Sequence, residues 1–243
     1  GVQRGERDPL RPAQPGGMLT VGGAAFTDTT WSPGHIIITP TPLRLGADFR
    51  ADTAIPDDWY VVQRPPSEAS DRTSFEKRTY IADDMLNRSG LGTINLYATD
   101  DSTIVRDAVL DLFPGTQFNF VAVENAGIDI AVHGRIQIPG GAIRLEPQGG
   151  DVFLGSTSRL DVGGSWINGW RDGQAGYPWA IDAGRISILQ TNPGEGRLIA
   201  EAGAALDVTG GARVYRNASG RPALQFGDGG SILLGGIDTA SGL

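Results

Sequence analysis

Cysteine is absent from the 243-residue chain, and there are only two histidines and a single lysine, Lys77. The absence of cysteine excludes disulfide bonds and thiol catalysis. His35 and His133 have no second histidine or cysteine near them in the sequence, so neither predicts a metal site. We therefore expect a chain without a metal or another cofactor, in which both histidines are ordinary surface or turn residues.

Positive charge is also in short supply, because 28 acidic residues outnumber 20 basic ones and the net charge is −8. The arginines are scattered, and an acidic surface of this kind repels a phosphate backbone. Nucleic acid is therefore not an expected partner. No apolar run is long enough to cross a membrane, and the opening "GVQRGERD" has no signal or targeting pattern. We expect a section of a longer chain that is not inserted in a membrane.

Glycine, in contrast, is abundant, with 36 residues. From residue 91 it often precedes short triplets that have apolar ends and a variable middle residue. This alternation predicts strands with one buried face, and the glycines before them predict bends that need a positive φ. The triplets are "INL" 94–96, "LDL" 110–112, "FNF" 118–120, "IDI" 128–130, "IQI" 136–138, "IRL" 143–145, "VFL" 152–154, "LDV" 160–162, "ISI" 186–188, "LIA" 198–200, "LDV" 206–208 and "ILL" 232–234.

The triplets also recur at a fixed distance, since Leu206 follows Leu160 by 46 positions and Ile232 follows Ile186 by 46. Strands this short are stable when they stack in register on equivalent strands, as in a solenoid. The repeat therefore predicts a parallel β-helix in which 46 residues are two coils, or one coil enlarged by an insertion. Residues 165–181 and 211–227 differ most between the repeats and predict an insertion loop. A β-sandwich or jelly roll is the alternative fold.

Residues 1–90 have a different composition, rich in proline, which is disfavoured in central strands. We expect an irregular, extended region here that packs on the solenoid or caps it, with plausible strands at "HIIIT" 35–39 and "WYVVQ" 59–63. The stretch "SFEKRTYIADDMLNRSG" predicts a short helical turn, although "TYIA" equally fits a strand. The β-helix itself is expected over 91–243. Its last residues show no cap, so we expect the natural chain to continue.

The segment "LNRSGLGTINLYA", the steps "GIDIAVHGRIQIPGGAIRLEP" and the endings "LDVGGSWING" and "LDVTGGA" together resemble the large filamentous haemagglutinin-like exoproteins. The resemblance covers about residues 86–243. It implies a right-handed parallel β-helix, export by an outer-membrane transporter in two-partner secretion, and a role in adhesion or in display to other cells. The Asn-Pro-Asn motifs of the family's secretion domain are missing, which implies an internal or distal segment.

An aromatic cluster in the expected insertion loop is the best binding candidate. "SWINGWRDGQAGYPWAI" contains Trp166, Trp170, Arg171, Tyr177 and Trp179. Flat aromatic faces beside polar groups suit sugar rings or a protein hot spot. The alternative is that these rings only cover an apolar patch of the solenoid.

Carboxylates are the other candidates for chemistry, because hydrolases use pairs of them. Asp161 and Asp207 lie in the middle of "LDV" triplets, and Asp111 and Asp129 have similar positions. All four are expected to point outward, where polar residues are ordinary. No nucleophile elbow or phosphate-binding glycine loop is present.

The sequence thus favours a non-enzymatic segment of a secreted bacterial surface exoprotein, a rigid stalk or adhesin with an aromatic contact loop. Its expected partners are a protein or glycan on a host or neighbouring cell, and the outer-membrane transporter during export. A carbohydrate-active β-helix enzyme, such as a polysaccharide lyase or hydrolase, and a filament-forming structural protein remain the alternatives.

Overall fold

Short strands make up most of the described chain. The computed structural model describes residues 16–22, 34–40, 78–123, 127–168, 181–190 and 196–236. These residues form strands and one short helix, which confirms the all-β prediction. The elements are β1 (Met18–Val21), β2 (His35–Thr39), β3 (Arg78–Ala82), α1 (Asp83–Asn87), β4 (Thr93–Ala98), β5 (Ser102–Ile104), β6 (Val109–Asp111), β7 (Gln117–Ala122), β8 (Ile128–Val132), β9 (Arg135–Gln137), β10 (Ala142–Glu146), β11 (Gly149–Leu154), β12 (Arg159–Asp161), β13 (Trp166–Asn168), β14 (Arg185–Gln190), β15 (Leu198–Ala200), β16 (Ala205–Asp207), β17 (Ala212–Arg216), β18 (Pro222–Phe226) and β19 (Ser231–Gly236).

Of the four sheets that the described strands form, three are entirely parallel. Sheet A has the order β1-β4-β7-β10-β14-β19, sheet B the order β15-β11-β8-β5-β2-β3, and sheet C the order β16-β12-β9-β6. Sheet D has the order β13-β17-β18, in which β17 and β18 form an antiparallel hairpin. From β4 onward the chain visits sheets A, B and C in that order again and again. We call each set of three strands, such as β4–β5–β6, a round.

Inward side chains of the three sheets form one apolar core. In β4 the residues Ile94, Leu96 and Ala98 are fully buried, and the residues between them are half-buried. Their neighbours in β7 include Phe118 and Phe120, whose rings meet edge to face with centroids 6.3 Å apart. Each fully buried side chain of this size stabilises the fold by roughly 1.5–3 kcal/mol. The alternation that predicts the strands therefore also builds the core.

The 46-residue repeat joins directly neighbouring strands. Leu160 pairs with Leu206 across β12 and β16, and Ile186 pairs with Ile232 across β14 and β19, both in parallel. The 46-residue repeat is therefore one step between neighbouring strands that an insertion has lengthened. The alternative prediction, that 46 residues make two coils, is wrong. Earlier steps are shorter, since Thr93 of β4 already pairs with Gln117 of β7. The added length lies after sheet C, where sheet D is formed.

The described strands before residue 91 join the same sheets. β1 lies beside β4 in sheet A, β2 lies beside β5 in sheet B, and β3 lies beside β2. The strand predicted at "HIIIT" is β2. The stretch around "TYIADDMLN" contains both predicted elements, the strand β3 and the helix α1. "WYVVQ" 59–63 lies outside the described residues. How residues 1–90 pack as a whole on the rest of the chain stays a prediction.

Helix α1 covers the outer edge strand of sheet C, β6. The Asp83 carboxylate accepts a hydrogen bond of 2.8 Å from the backbone N–H of Val109. The Asn87 side chain donates to the Val109 carbonyl at 2.7 Å and accepts from the Asp111 N–H at 2.8 Å. Leu86 is buried against the core. The exposed backbone groups of a sheet edge are thus paired by side chains at this end.

The glycines at the bends before the strands have two roles, of which the expected positive φ is one. Among Gly127, Gly134, Gly141, Gly184 and Gly230, only Gly127 has a positive φ, of 91°. A Cβ atom on Gly184 would lie 1.6 Å from the carbonyl oxygen of Gly141 in the preceding round. Gly184 therefore requires glycine because the backbones of neighbouring rounds come too close for a side chain, whereas other bend glycines, such as Gly115, Gly140 and Gly203, have the expected positive φ.

Candidate binding surface on the fourth sheet

Sheet D forms where the chain leaves sheet C and before it returns to sheet A. Its strands β13 and β17 belong to successive repeats and pair in parallel, with Trp166 beside Ala212. Hydrogen bonds of 2.8 Å from the Gly164 N–H to the Thr209 carbonyl and of 2.6 Å from the Gly211 N–H to the Ile181 carbonyl fix its base. A Cβ atom at Gly164 would lie 1.8 Å from the Ile181 carbonyl, so this approach requires glycine.

One face of sheet D exposes large apolar side chains. Trp166 is 76% exposed, Phe226 is 68% exposed and Leu224 is 51% exposed. Trp166, Ala212 and Phe226 are paired across the three strands, and Val214 and Leu224 are paired two residues further along. Residues at these positions share one face of the sheet. We call this set (Trp166, Ala212, Val214, Leu224 and Phe226) the aromatic face.

On the aromatic face, two large rings lie on either side of a small residue. Ala212 is buried, and Trp166 and Phe226 lie on the strands that flank it. Two strand spacings separate their Cα atoms by roughly 10 Å. Exposed tryptophan and phenylalanine on a rigid sheet give large contact areas at low cost in conformational entropy. Such a surface can bind the flat face of a sugar or an apolar protein side chain.

The opposite face of sheet D carries polar side chains beside Ile167 and Ala223. The Arg213 guanidinium donates a hydrogen bond of 2.7 Å to the Gln225 side chain and lies 5.2 Å from the centre of the Tyr215 ring. The contact with Gln225 joins the two strands of the β17–β18 hairpin, whereas the contact with Tyr215 lies within β17. These polar contacts lie on the opposite face from Trp166 and Phe226.

Of the five predicted binding residues, the structure describes Trp166, which lies on the aromatic face and is exposed. Trp170, Arg171, Tyr177 and Trp179 lie outside the described residues, so their predicted role stays a prediction. The Trp166 ring is mostly exposed and not buried in the core, and its predicted binding role stays a prediction.

Sequence reasoning missed Leu224, Phe226 and Val214, which complete the aromatic face. The 46-residue offset of the sequence could have located one of these neighbours. It aligns residues 165–181 with 211–227, and Trp166 and Ala212 are paired in the structure. It did not show that residues 222–226 fold back as β18 and bring Phe226 onto the same face.

The carboxylate pair is occupied by structural contacts. Asp161 and Asp207 are paired in register, and one nitrogen of Arg159 lies 3.1 Å from an oxygen of each. Asp207 also accepts hydrogen bonds from the N–H of Thr209 at 3.0 Å and from its hydroxyl at 2.7 Å. These two bonds, with a smaller contribution from Arg159, lower the pKa of Asp207. A general acid needs the opposite shift.

Asp111 and Asp129 are likewise engaged within the fold. The backbone N–H of Asp111 binds Asn87, and the Asp129 carboxylate accepts the N–H of Asp151 at 2.8 Å. The Asp151 carboxylate in turn accepts the N–H of Arg197 at 2.7 Å and pairs with its guanidinium. Asp129 and Asp151 thus link successive rounds, whereas the Asp111 backbone contacts helix α1.

The two histidines have separate surroundings. His35 lies 2.7 Å from the Asp101 carbonyl and 3.5 Å from the Asp100 carboxylate. His133 packs on Phe153 with ring centroids 5.3 Å apart, and burial lowers its pKa. In the part of the chain that the structure describes, no three histidine, aspartate or glutamate residues converge as metal ligands.

Comparison of the chain with protein-family models, with curated proteins and with solved structures finds no match. No helix within the described ranges is long and apolar enough to span a membrane. The parallel sheets and the aromatic face are therefore the observations on which a functional hypothesis must be built.

Proposed function

We propose that the chain is a segment of a secreted bacterial surface exoprotein, similar to filamentous haemagglutinin, and that it acts as a non-enzymatic stalk or adhesin. The observation that carries the proposal is the combination of parallel rounds with a separate sheet whose aromatic face is exposed. The rounds supply a rigid body, and sheet D supplies a contact surface.

The rigid body is proposed to be a right-handed parallel β-helix. Strands of one sheet that are joined by a crossover almost always follow a right-handed path. The steps from β4 to β7 and from β7 to β10 are crossovers of this type, because each returns to sheet A after passing through sheets B and C. Each round contacts only its neighbours, so rounds add length without changing the cross-section. This suits a stalk that holds a contact surface away from a cell.

The contact surface is proposed to be the aromatic face, and its partner a protein or glycan on a host or neighbouring cell. Trp166 and Phe226 have the properties of interface anchors, since both are large, exposed and held on paired strands. Export through an outer-membrane transporter belongs to the same proposal. It rests on the resemblance of residues 86–243 to the exoprotein family.

Binding of the fluorescently labelled chain to a glycan array and to a panel of intact cells tests the adhesin role. We expect Trp166→Ala and Phe226→Ala each to weaken binding about tenfold or more, as loss of a hot-spot aromatic residue does. Val109→Ala is the matched control, because Val109 is also an exposed apolar strand residue but lies in sheet C. Binding to no surface, or equal loss in all three variants, would contradict the proposal.

The enzyme alternative has less support from the geometry. Asp161 and Asp207 share Arg159, and the lowered pKa of Asp207 favours a permanent carboxylate. Turnover of an acidic polysaccharide that is lost in Asp161→Asn or Asp207→Asn would nevertheless establish it.

The filament alternative is favoured by one observation, the exposed inward residues Ile232 and Leu234 at one end of sheet A. Long fibres at micromolar concentration in electron micrographs would support that function.

A further inference from the structure

Two tripeptides of the chain have the Asn-x-Ser pattern that accepts an N-linked sugar: Asn87-Arg88-Ser89 and Asn217-Ala218-Ser219. The pattern alone is common, so its meaning depends on whether the asparagine side chain is available. The structure describes both tripeptides, and it places them in opposite situations.

Asn217 lies in the exposed turn between β17 and β18. Its side-chain oxygen accepts hydrogen bonds of 3.0 Å from the N–H of Ser219 and of 3.0 Å from the N–H of Arg221. Its side-chain nitrogen donates to no described residue. The oxygen therefore fixes the side chain in a tight Asx turn, and the nitrogen faces solvent. Gly220, with a φ of 72°, completes the turn.

Asn87 lies at the end of α1, where both ends of its side-chain amide are used. The nitrogen donates to the Val109 carbonyl at 2.7 Å, and the oxygen accepts from the Asp111 N–H at 2.8 Å. A sugar on this nitrogen would break the contact between α1 and the edge of sheet C. The folded chain therefore protects Asn87 from modification.

We propose that Asn217 is an N-glycosylation site of the folded protein and that Asn87 is not. In the reaction the Asn217 side-chain nitrogen attacks the anomeric carbon of a sugar activated as a diphosphate ester. A carbon–nitrogen bond forms, the bond from the anomeric carbon to the phosphate oxygen breaks, and the diphosphate leaves with its electron pair. The nitrogen loses one proton to the enzyme's base. The activated sugar is either a nucleoside diphosphate sugar or a lipid-linked oligosaccharide.

The site is independent of the proposed adhesin contact. Asn217 lies five residues after Ala212, just past the end of β17. This places it roughly 16 Å from Ala212, which is paired with Trp166 and Phe226. A single hexose there leaves the aromatic face open. The glycosylation proposal can therefore fail while cell binding persists, and the reverse also holds.

The test uses the folded, purified chain, a sequon-specific N-glycosyltransferase and a nucleoside diphosphate hexose, with intact-mass and peptide mass spectrometry. We expect one hexose, located on Asn217. Asn217→Gln and Ser219→Ala should abolish the addition, and Ser89→Ala should leave it unchanged. Two unfolded substrates serve as controls: the urea-unfolded chain, diluted from denaturant at the moment of reaction, and two synthetic peptides that each carry one tripeptide. In both controls we expect Asn87 and Asn217 to be modified. These controls show that folding, and not the tripeptide sequence, protects Asn87.

A second experiment distinguishes the two activated sugar donors. The chain is secreted from cells that attach a lipid-linked oligosaccharide during export, and the mass of the attached group identifies the donor. Modification of Asn87 in the folded chain at a rate equal to that of Asn217 would overturn the proposal. An unmodified Asn217 in the folded chain would also overturn it, whether or not the peptides are modified.

Discussion

The two ends of the parallel body present similar strands in different surroundings. At one end, α1 lies against β6 of sheet C and pairs its backbone groups through Asp83 and Asn87. At the other end, Ile232 and Leu234 of β19 are 41% and 51% exposed, although their paired neighbours Ile186 and Ile188 in β14 are 0% and 4% exposed. The inward positions are the same, but β14 lies between β10 and β19, whereas among the described strands β19 has a neighbour on one side only.

An inward residue is therefore buried by the neighbouring round more than by its own strand. In repeat architectures, stability is approximately a sum of repeat terms and nearest-neighbour interface terms. An apolar triplet therefore stabilises the chain fully only when it has a round on each side. The comparison between inner and outer rounds can be tested with pairs of identical residues that occupy equivalent positions.

The largest effect is expected from Leu160→Ala, compared with Leu206→Ala. The two leucines are paired in register, but Leu160 is fully buried between two rounds and Leu206 is only partly buried. We expect a loss of about 2–5 kcal/mol in the free energy of unfolding for Leu160→Ala and of about 1 kcal/mol for Leu206→Ala. Urea unfolding followed by circular dichroism measures both. Equal losses would mean that the outer round is covered as fully as the inner one.

The next effect tests the close approach of stacked backbones. Gly184→Ala should cost about 1–3 kcal/mol or more, because its Cβ atom would meet the Gly141 carbonyl oxygen of the preceding round. Gly229→Ala is the matched control, since a Cβ atom there has nothing nearer than the Val208 carbonyl oxygen at 3.8 Å. Thermal unfolding of the two variants measures the difference. A tolerated Gly184→Ala would show that the rounds can move apart at little cost.

These glycines also show what could be predicted from the sequence. The apolar triplets predict strands because their alternation is local, and "FNF" at 118–120 and "LDV" at 160–162 are strand residues or directly adjoin a strand. The close approach at Gly184 depends on which backbone lies in the preceding round, which is a long-range property. β5 escaped prediction for a related reason. Its three residues, Ser102–Ile104, are all buried, so they show no alternation.

The candidate site shows the same limit. Trp166 could be predicted because it belongs to a conspicuous aromatic cluster in the expected insertion loop. Phe226 and Leu224 could not, because their place on the aromatic face depends on the antiparallel fold-back of β18 onto β17. A contact surface assembled from two repeats requires knowledge of the pairing as well as of the residues.

A smaller effect is expected at the capped end. Asn87→Ala removes both hydrogen bonds to β6 and leaves the Val109 carbonyl and the Asp111 N–H without these partners. We expect a loss of about 1–3 kcal/mol in the free energy of unfolding. Arg88→Ala, which removes only a surface ion pair with Asp84, should change it by no more than about 0.5 kcal/mol. If both variants behave alike in urea unfolding, α1 does not stabilise the edge through Asn87.

The smallest effect concerns the paired aspartates of the inner and outer rounds. Gly163 stands two residues after Asp161, and Thr209 stands two residues after Asp207. Because only Thr209 has a hydroxyl group, only Asp207 receives a hydroxyl hydrogen bond as well as a backbone one. These bonds lower the pKa of Asp207. Its folded pKa is below the unfolded value, so its contribution to stability is present above about pH 4 and is lost as the pH falls through the folded pKa.

Thr209→Val removes the hydroxyl bond but keeps the backbone bond, so it should raise the pKa of Asp207 toward its ordinary value. NMR titration of the Asp207 carboxyl carbon measures this change directly, with Thr157→Val as a control because the Thr157 hydroxyl binds the His133 carbonyl and no carboxylate. The variant should also lose less stability than the natural chain between pH 5 and acid pH, since the folded and unfolded pKa values of Asp207 are then closer. An unchanged Asp207 titration would show that the backbone N–H and Arg159 alone hold the carboxylate, and that the outer round is fixed in the same way as the inner one.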